Sequence, residues 1–263
     1  MKKKNIIWIL ILLILFIIIA IYLFQRGKKT ENIKLIHMIY IPWDKDQKIK
    51  SDYNDFDKSS YEDLKKNNPD YNIKLWTLID IQDFLRQFYP EYYDTIFNLV
   101  RPVMIVDIMR LLVMYHYGGI YWQYGSERKA ESMDMFQPSP NKKVKLFTET
   151  IISQEIANTM KDEPIRKGEP EELIRICTQI FSSFPKNSYI HTLFLTALEN
   201  SKKYTVEKDY DILYITGNAM MSSVYDKIGK QIEDIELVDY YTATNMIKLS
   251  SNRSWRKEAN IIL

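Results

Sequence analysis

The chain has 263 residues, enough for one good-sized globular domain. Its 36 lysines and arginines nearly cancel its 34 aspartates and glutamates, and the net charge of +2 excludes both the basic footprint of a nucleic-acid binder and an acidic solvating tail. A single cysteine, Cys177, excludes an intrachain disulfide, and the dispersed histidines His37, His116 and His191 give no zinc-ligand spacing.

In chain order, the first element expected is a membrane span. Residues 6–24, IIWILILLILFIIIAIYLF, carry no charge and nearly match the length of helix that a hydrocarbon core requires. The run is longer than the apolar core of a signal peptide and ends in Gln25, Arg26 and Gly27 rather than a small-residue cleavage site. Residues 1–29 are therefore expected to be an uncleaved anchor and stalk. The protein would be single-pass in a membrane, of Golgi or endoplasmic-reticulum type or another internal one. Lysines and arginines on both flanks leave its orientation open.

Residues 30–263 are expected to form one α/β domain, because strand-like and helix-like stretches alternate along them. KLIHMIYI (34–41) reads as a buried strand ended by Pro42, and 44–58 as polar loop. SSYEDLKKNNPD reads as a short capped helix, YNIKLWTLID (71–80) as a strand, and IQDFLRQFYPEYYDTIFNL as two helices broken at Pro90. Arg101-Pro102 opens an apolar helix that runs to Gly118, and IYWQ and KVKLFT (143–148) read as strands. The stretch 149–170 reads as irregular. EELIRICTQIFSSF and YIHTLFLTALENS read as amphipathic helices, DILYITG (211–217) as a buried strand, and AMMSSVYDKI as a helix.

Two polar side chains stand out in the apolar helix. Asp107 and Arg110 are three apart and share a face. Burying such charges is costly unless they satisfy each other or line a polar pocket, and the residues alone leave both readings open.

The block VDIMRLLVMYHYGGIYW, with the preceding IHMIY, SYEDLKKNNPDYNIKLWT and FYPEYYDTIF, resembles the glycosyltransferases of family 32. This is the group with a DXD sugar-binding region, which includes yeast-type mannosyltransferases and is related to glucosylating bacterial toxins. The resemblance is strong over residues 34–125 and weaker beyond. It implies a GT-A-like fold, a nucleotide-sugar donor, transfer with retention, and a glycan, lipid or protein acceptor. By the same resemblance Asp107 and Arg110 would hold the donor sugar, with Gly118 and Gly119 forming the turn beside it. Tyr40 would stack on the nucleotide base, and Ser254 and Trp255 would close over the diphosphate. ITGNAMMSSVY resembles the family's Thr-Gly-Pro segment, with Asn218 in place of the proline.

The departure lies after the glycine pair. Where the family carries the two DXD carboxylates that hold Mn²⁺ or Mg²⁺, this chain has Gln123 and Gly125. No metal cofactor is therefore expected. Literal Asp-x-Asp strings at Asp44/Asp46, Asp55/Asp57 and Asp209/Asp211 do not follow the Gly-Gly turn and read as solvated surface acids. Arg128 and Lys129 are candidate cations for the diphosphate, and Glu127 a candidate lone ligand, against the reading of a plain charged loop. Two functions follow: a membrane-anchored glycosyltransferase, or a non-catalytic relative that binds a sugar, a nucleotide or a partner protein.

Overall fold

The apolar helix expected after Arg101 is the centre of the domain: in this computed structural model it spans Pro102–Tyr117 and is buried over nearly its whole length. Residues 33–50, 58–160 and 173–250 are described. The chain divides into two units, Met1–Asn32 and Ile33–Leu263, and the described residues belong to the second. They order as β1 (Leu35–Ile39), α1 (Ser59–Lys66), β2 (Asn72–Trp76), α2 (Leu78–Phe88), α3 (Tyr93–Phe97), α4 (Pro102–Tyr117), β3 (Gly119–Trp122) and β4 (Glu127–Arg128). There follow β5 (Val144–Ile151), α5 (Gln154–Met160), β6 (Ile174–Ile176), β7 (Ile180–Ser183), α6 (Ser188–Lys203), α7 (Asp211–Ile215), α8 (Asn218–Lys227), β8 (Ile235–Val238), α9 (Tyr240–Met246) and β9 (Ile247–Lys248).

The fold is a mixed α/β domain on a central sheet. β1 lies between β2 and β3, parallel to both; β3 continues antiparallel to β7, which pairs antiparallel with β5, and β5 pairs antiparallel with β6 and parallel with β8. Alternation along the strands divides the core. Ile36, Met38, Ile120 and Trp122 pack on one face with Phe136, Phe147 and Met246, while Ile39, Tyr121 and Leu146 pack on the other with α4 and α6.

The glycine pair is required by the packing of this sheet. Gly118 ends α4 at φ 68°, and a Cβ there would lie 2.6 Å from the Pro185 nitrogen. At Gly119, φ is 96° and a Cβ would lie 2.4 Å from the Leu35 carbonyl oxygen, so only glycine lets β3 approach β1 this closely. His37 locks the same junction. Its Nε2 donates to the Gly118 carbonyl at 3.0 Å while its Nδ1 accepts from the Trp76 indole at 3.0 Å, which fixes a neutral ring. Burial, aided by the charge of Lys74, pushes its pKa down to about 4 against the Gly118 hydrogen bond.

Several expectations are corrected. The span expected over residues 6–24 lies outside the described residues, and among the described residues no helix is long and apolar enough to cross a membrane. The longest, α4 and α6, have 16 residues each, short of the ~20 a bilayer requires. For the described residues, the expected class of an α/β domain preceded by a transmembrane helix, and the single-pass membrane localisation drawn from it, are corrected to a mixed α/β domain with no membrane-crossing helix. The stretch 171–184, expected to be a helix, instead supplies β6 and β7, whose Ile174, Ile176, Ile180 and Phe181 suit a pleated surface. The expected strand 211–217 is the short helix α7, whose Asp211 carboxylate accepts from the backbone of Glu207 and Lys208 at 2.9 Å each and so favours a helical start. A short apolar run has no period that separates strand from helix, and context decided both cases.

Candidate functional site

The carboxyl ends of the parallel strands β1 and β3 open onto a cavity of about 370 Å³, the position at which open α/β sheets place their ligands. Tyr40 enters it just past β1, Gln123 and Tyr124 just past β3, and Glu149 from β5. Asp107 and Arg110 line it from α4, Thr178 and Gln179 from the β6–β7 turn, Gly217 and Asn218 from the start of α8, and Ser250 from beyond β9. This volume lies within the range of small-molecule sites.

Asp107 and Arg110 are both a structural pair and part of the cavity wall. Arg110 Nη2 meets Asp107 Oδ1 at 2.9 Å, Thr216 Oγ1 donates to Asp107 Oδ2 at 2.9 Å, and Arg110 Nη1 donates to the Thr178 carbonyl at 2.5 Å. The guanidinium also lies 4.9 Å from the Tyr121 ring centroid. Arg110 is 4 % exposed, yet a guanidinium has more N–H donors than these contacts use, so it can still receive an anion. Burial pushes the Asp107 carboxyl above the usual carboxylate range, opposed by Arg110 and by the Thr216 hydrogen bond.

On the cavity wall the rings of Tyr40 and Tyr124 meet edge to face at 5.3 Å, an aromatic surface onto which a flat base could stack. Three further wall residues are latched together. Gln179 Oε1 accepts from the Ser250 backbone at 3.0 Å and from Ser126 Oγ at 3.2 Å, while the Gln123 backbone donates to the Gln179 carbonyl at 2.8 Å.

The residues at the DXD positions do not fit a divalent ion. Gln123 Oε1 already accepts from Tyr121 Oη at 3.0 Å, and Gly125 sits at φ 81° with the Ser250 Oγ 3.0 Å from where a Cβ would be. Of the two carboxylates on the cavity wall, Asp107 is taken up by Arg110 and Thr216, and Glu149, on another element, accepts from Asn218. Among the described residues no group of three or more His, Cys, Asp or Glu side chains is arranged to hold a metal.

Other sequence candidates lie elsewhere. Arg128 Nη1 donates to the carbonyls of Ala130 and Glu131 at 2.7 and 2.5 Å, Lys129 Nζ to the Thr244 carbonyl at 2.9 Å, and Glu127 pairs with Lys248 at 2.8 Å. None of the three lines the cavity, because β4 pairs with β9 and turns them away from it. Gly118 and Gly119 also lie off the cavity wall, at the β1 junction. Ser254, Trp255, Asp55 and Asp57 fall outside the described residues. Asp44 is a turn acceptor for the Asp46 and Lys48 backbone, as a surface acid would be. Asp209, however, is 3 % exposed and pairs with Arg101 at 3.3 Å, and Asp211 is also buried, so the expectation of two solvated acids there is corrected.

Glu149 and Gln179 on the cavity wall, and Thr216 bonded to Asp107, were not singled out in the sequence, where Asn218 stood only as a replaced proline. Glu149 carried a legible signal, an acid directly after the buried run of β5; burial pushes its carboxyl above the usual range, opposed by Asn218, Arg175 and Arg110. Asn218 donates from Nδ2 to Glu149 Oε2 at 3.2 Å, and its Oδ1 is buried without a partner.

Comparison with known proteins agrees with the resemblance read from the sequence. Residues 54–123 match the family described as the glycosyltransferase sugar-binding region containing DXD motif, and the match ends at Gln123, where the carboxylates are replaced. Two mannosyl phosphorylinositol ceramide synthases of Saccharomyces cerevisiae are 27 % and 28 % identical to this chain over 151 residues, 57 % of its length. The alignment covers 31 % of each, so the chain spans about a third of the length of the curated relatives it matches. Among solved structures, a protein titled PaToxG Glycosyltransferase superposes with a TM-score of 0.43 at 16 % identity, covering 76 % of this chain and 70 % of that one.

Proposed function

We propose that this chain, which carries the sugar-binding region of glycosyltransferases over residues 54–123, binds a nucleotide sugar in the cavity and transfers the sugar to a hydroxyl of a glycan, lipid or protein. The observation that carries the reading is the Asp107–Arg110 pair, a buried carboxylate and guanidinium kept at the wall of a cavity rather than sealed within α4. Arg110 supplies fixed positive charge to the donor diphosphate, and the carboxylate beside it holds the guanidinium in place. Tyr40, with Tyr124, gives the base a stacking face.

In this reading neither donor binding nor transfer relies on a divalent ion, since Gln123 and Gly125 bring no charge to the site. Positive charge placed in advance does what a metal would do for a departing diphosphate. Transfer retains configuration at the anomeric carbon, as the resemblance implies, and a mannosyl donor is the first choice because the yeast relatives are mannosyl enzymes by name.

The missing carboxylates favour a second reading, a protein that keeps donor binding without catalysis. A hydrolysis and transfer screen of the full-length chain against GDP-mannose, UDP-glucose and related donors, with EDTA and with Mn²⁺, separates the two. Turnover in EDTA supports the enzyme; binding without turnover in either condition moves the chain to the second reading; the absence of both rejects the cavity as a donor site.

A further inference from the structure

The two acids of the cavity wall are held differently. Asp107 is committed to Arg110 and Thr216, whereas Glu149, near the end of β5, forms no ion pair among the described residues. Its Oε2 accepts from Asn218 Nδ2 at 3.2 Å, a separation that suits an N–H donor and exceeds the usual reach of an O–H donor, so the amide gives the proton and Oε2 is the accepting oxygen. Oε1 makes no hydrogen bond among the described residues and is not sealed away. Burial favours the neutral carboxyl, opposed by Asn218, by Arg175 of β6 and by Arg110 of α4. The buried Cys177 thiol, which shares a smaller cavity with Glu149, stays neutral too. A neutral carboxyl whose Oε2 accepts carries its proton on Oε1, the open oxygen.

An ionised carboxylate on this wall would repel a diphosphate, whereas a carboxyl kept neutral by burial can donate to one. Arg110 brings charge to the site but no proton to transfer, because a guanidinium does not deprotonate in proteins. From the open Oε1 and the committed Oε2 we infer that Glu149 is the proton donor to the departing diphosphate, a general acid in the part that Gln123 and Gly125 leave unfilled. The inference rests on the nucleotide-sugar reading above. The bond from the anomeric carbon to the diphosphate oxygen breaks with its electron pair on that oxygen, and the Oε1 proton moves to it. The incoming hydroxyl bonds to the same carbon and gives its proton to the carboxylate left at Glu149, so the residue ends as it began. When configuration is retained in one step, the entering and leaving oxygens share a face, and one carboxyl serves both.

The experiment measures hydrolysis of GDP-mannose and UDP-glucose by the full-length chain in EDTA, with water as the incoming hydroxyl, on wild type and Glu149→Gln, beside calorimetric titration with the same donors. Glutamine can accept from Asn218 and present an N–H to the cavity, but it has no proton to transfer. Donor affinity should hold while kcat falls about a hundredfold or more. Wild-type kcat should fall toward alkaline pH as the carboxyl loses its proton, and the variant should lack that limb. Thermal unfolding checks that the variant is folded; if it is not, the wild-type pH profile decides alone. An unchanged kcat in the variant, or a wild-type kcat that is flat with pH, overturns the proton donor while leaving the nucleotide-sugar reading in place. A loss of donor affinity that accounts for the loss of turnover also overturns it, since Glu149 would then be a binding group. Wild type that binds a donor without turnover overturns the inference alone, and wild type that binds neither donor removes the nucleotide-sugar reading and the inference with it.

Discussion

Replacing His37 with glutamine should flatten the acid dependence of the domain's stability. In the fold the ring is neutral, 1 % exposed, donating to Gly118 and accepting from Trp76, and its pKa is pushed down to about 4 from an ordinary 6.5. Protonation of Nδ1 would set two donors against each other at the Trp76 indole. The unfolded chain binds this proton more readily than the folded one, so the contribution is fully present above pH 6.5, falls as pH drops, and is gone by about pH 4. At about 1.4 kcal/mol per pH unit, the interval corresponds to roughly 3 kcal/mol. Glutamine can donate and accept at the same two partners without titrating. Urea unfolding of wild type and His37→Gln at pH 7, 6, 5 and 4 isolates the term, because the carboxylates common to both cancel in the difference. Wild type should lose about 3 kcal/mol relative to the variant across the series. A difference that stays flat would show that His37 does not hold the β1 junction as a neutral ring.

Arg110→Met should destabilise the domain by about 3–5 kcal/mol in chemical denaturation, because it leaves the Asp107 carboxylate buried without its cation; a loss under about 1 kcal/mol would mean that the pair is solvated. Gly119→Ala should cost more than about 2 kcal/mol, as the new Cβ meets the Leu35 carbonyl at 2.4 Å in a backbone conformation that alanine resists. A variant with an unchanged unfolding midpoint would contradict the close approach of β1 and β3.

The parts legible in the sequence were those with a long period or a hard punctuation mark. Pro102 and Gly118 fixed the bounds of α4, and the apolar run before Pro42 located β1. Asp107 and Arg110 could be singled out because charge inside an apolar helix is rare, and Tyr40 because the resemblance reached it. The β6 and β7 strands and the helix α7 were misread, since short apolar segments take their form from the neighbours they pack against. Gly118 and Gly119 were legible as backbone positions, but a close approach to a donor and a close approach to Leu35 and Pro185 leave the same mark in sequence. Glu149 and Gln179 reach the cavity from β5 and the β6–β7 turn, and Thr216 bonds Asp107 from the end of α7; only the folded sheet and its helices bring these distant segments together. Arg128 and Lys129 were plausible by adjacency to the altered motif, and the pairing of β4 with β9 is what turns them away.

In the proposed function the cavity binds its donor through fixed charge rather than through a metal ion. Calorimetric titration of the full-length chain with GDP-mannose, first in EDTA and then in Mn²⁺, tests it most directly. Equal dissociation constants in the two conditions are expected, since neither Gln123 nor Gly125 offers a charged ligand. Binding that appears only with Mn²⁺, or tightens about tenfold or more in its presence, would contradict the account.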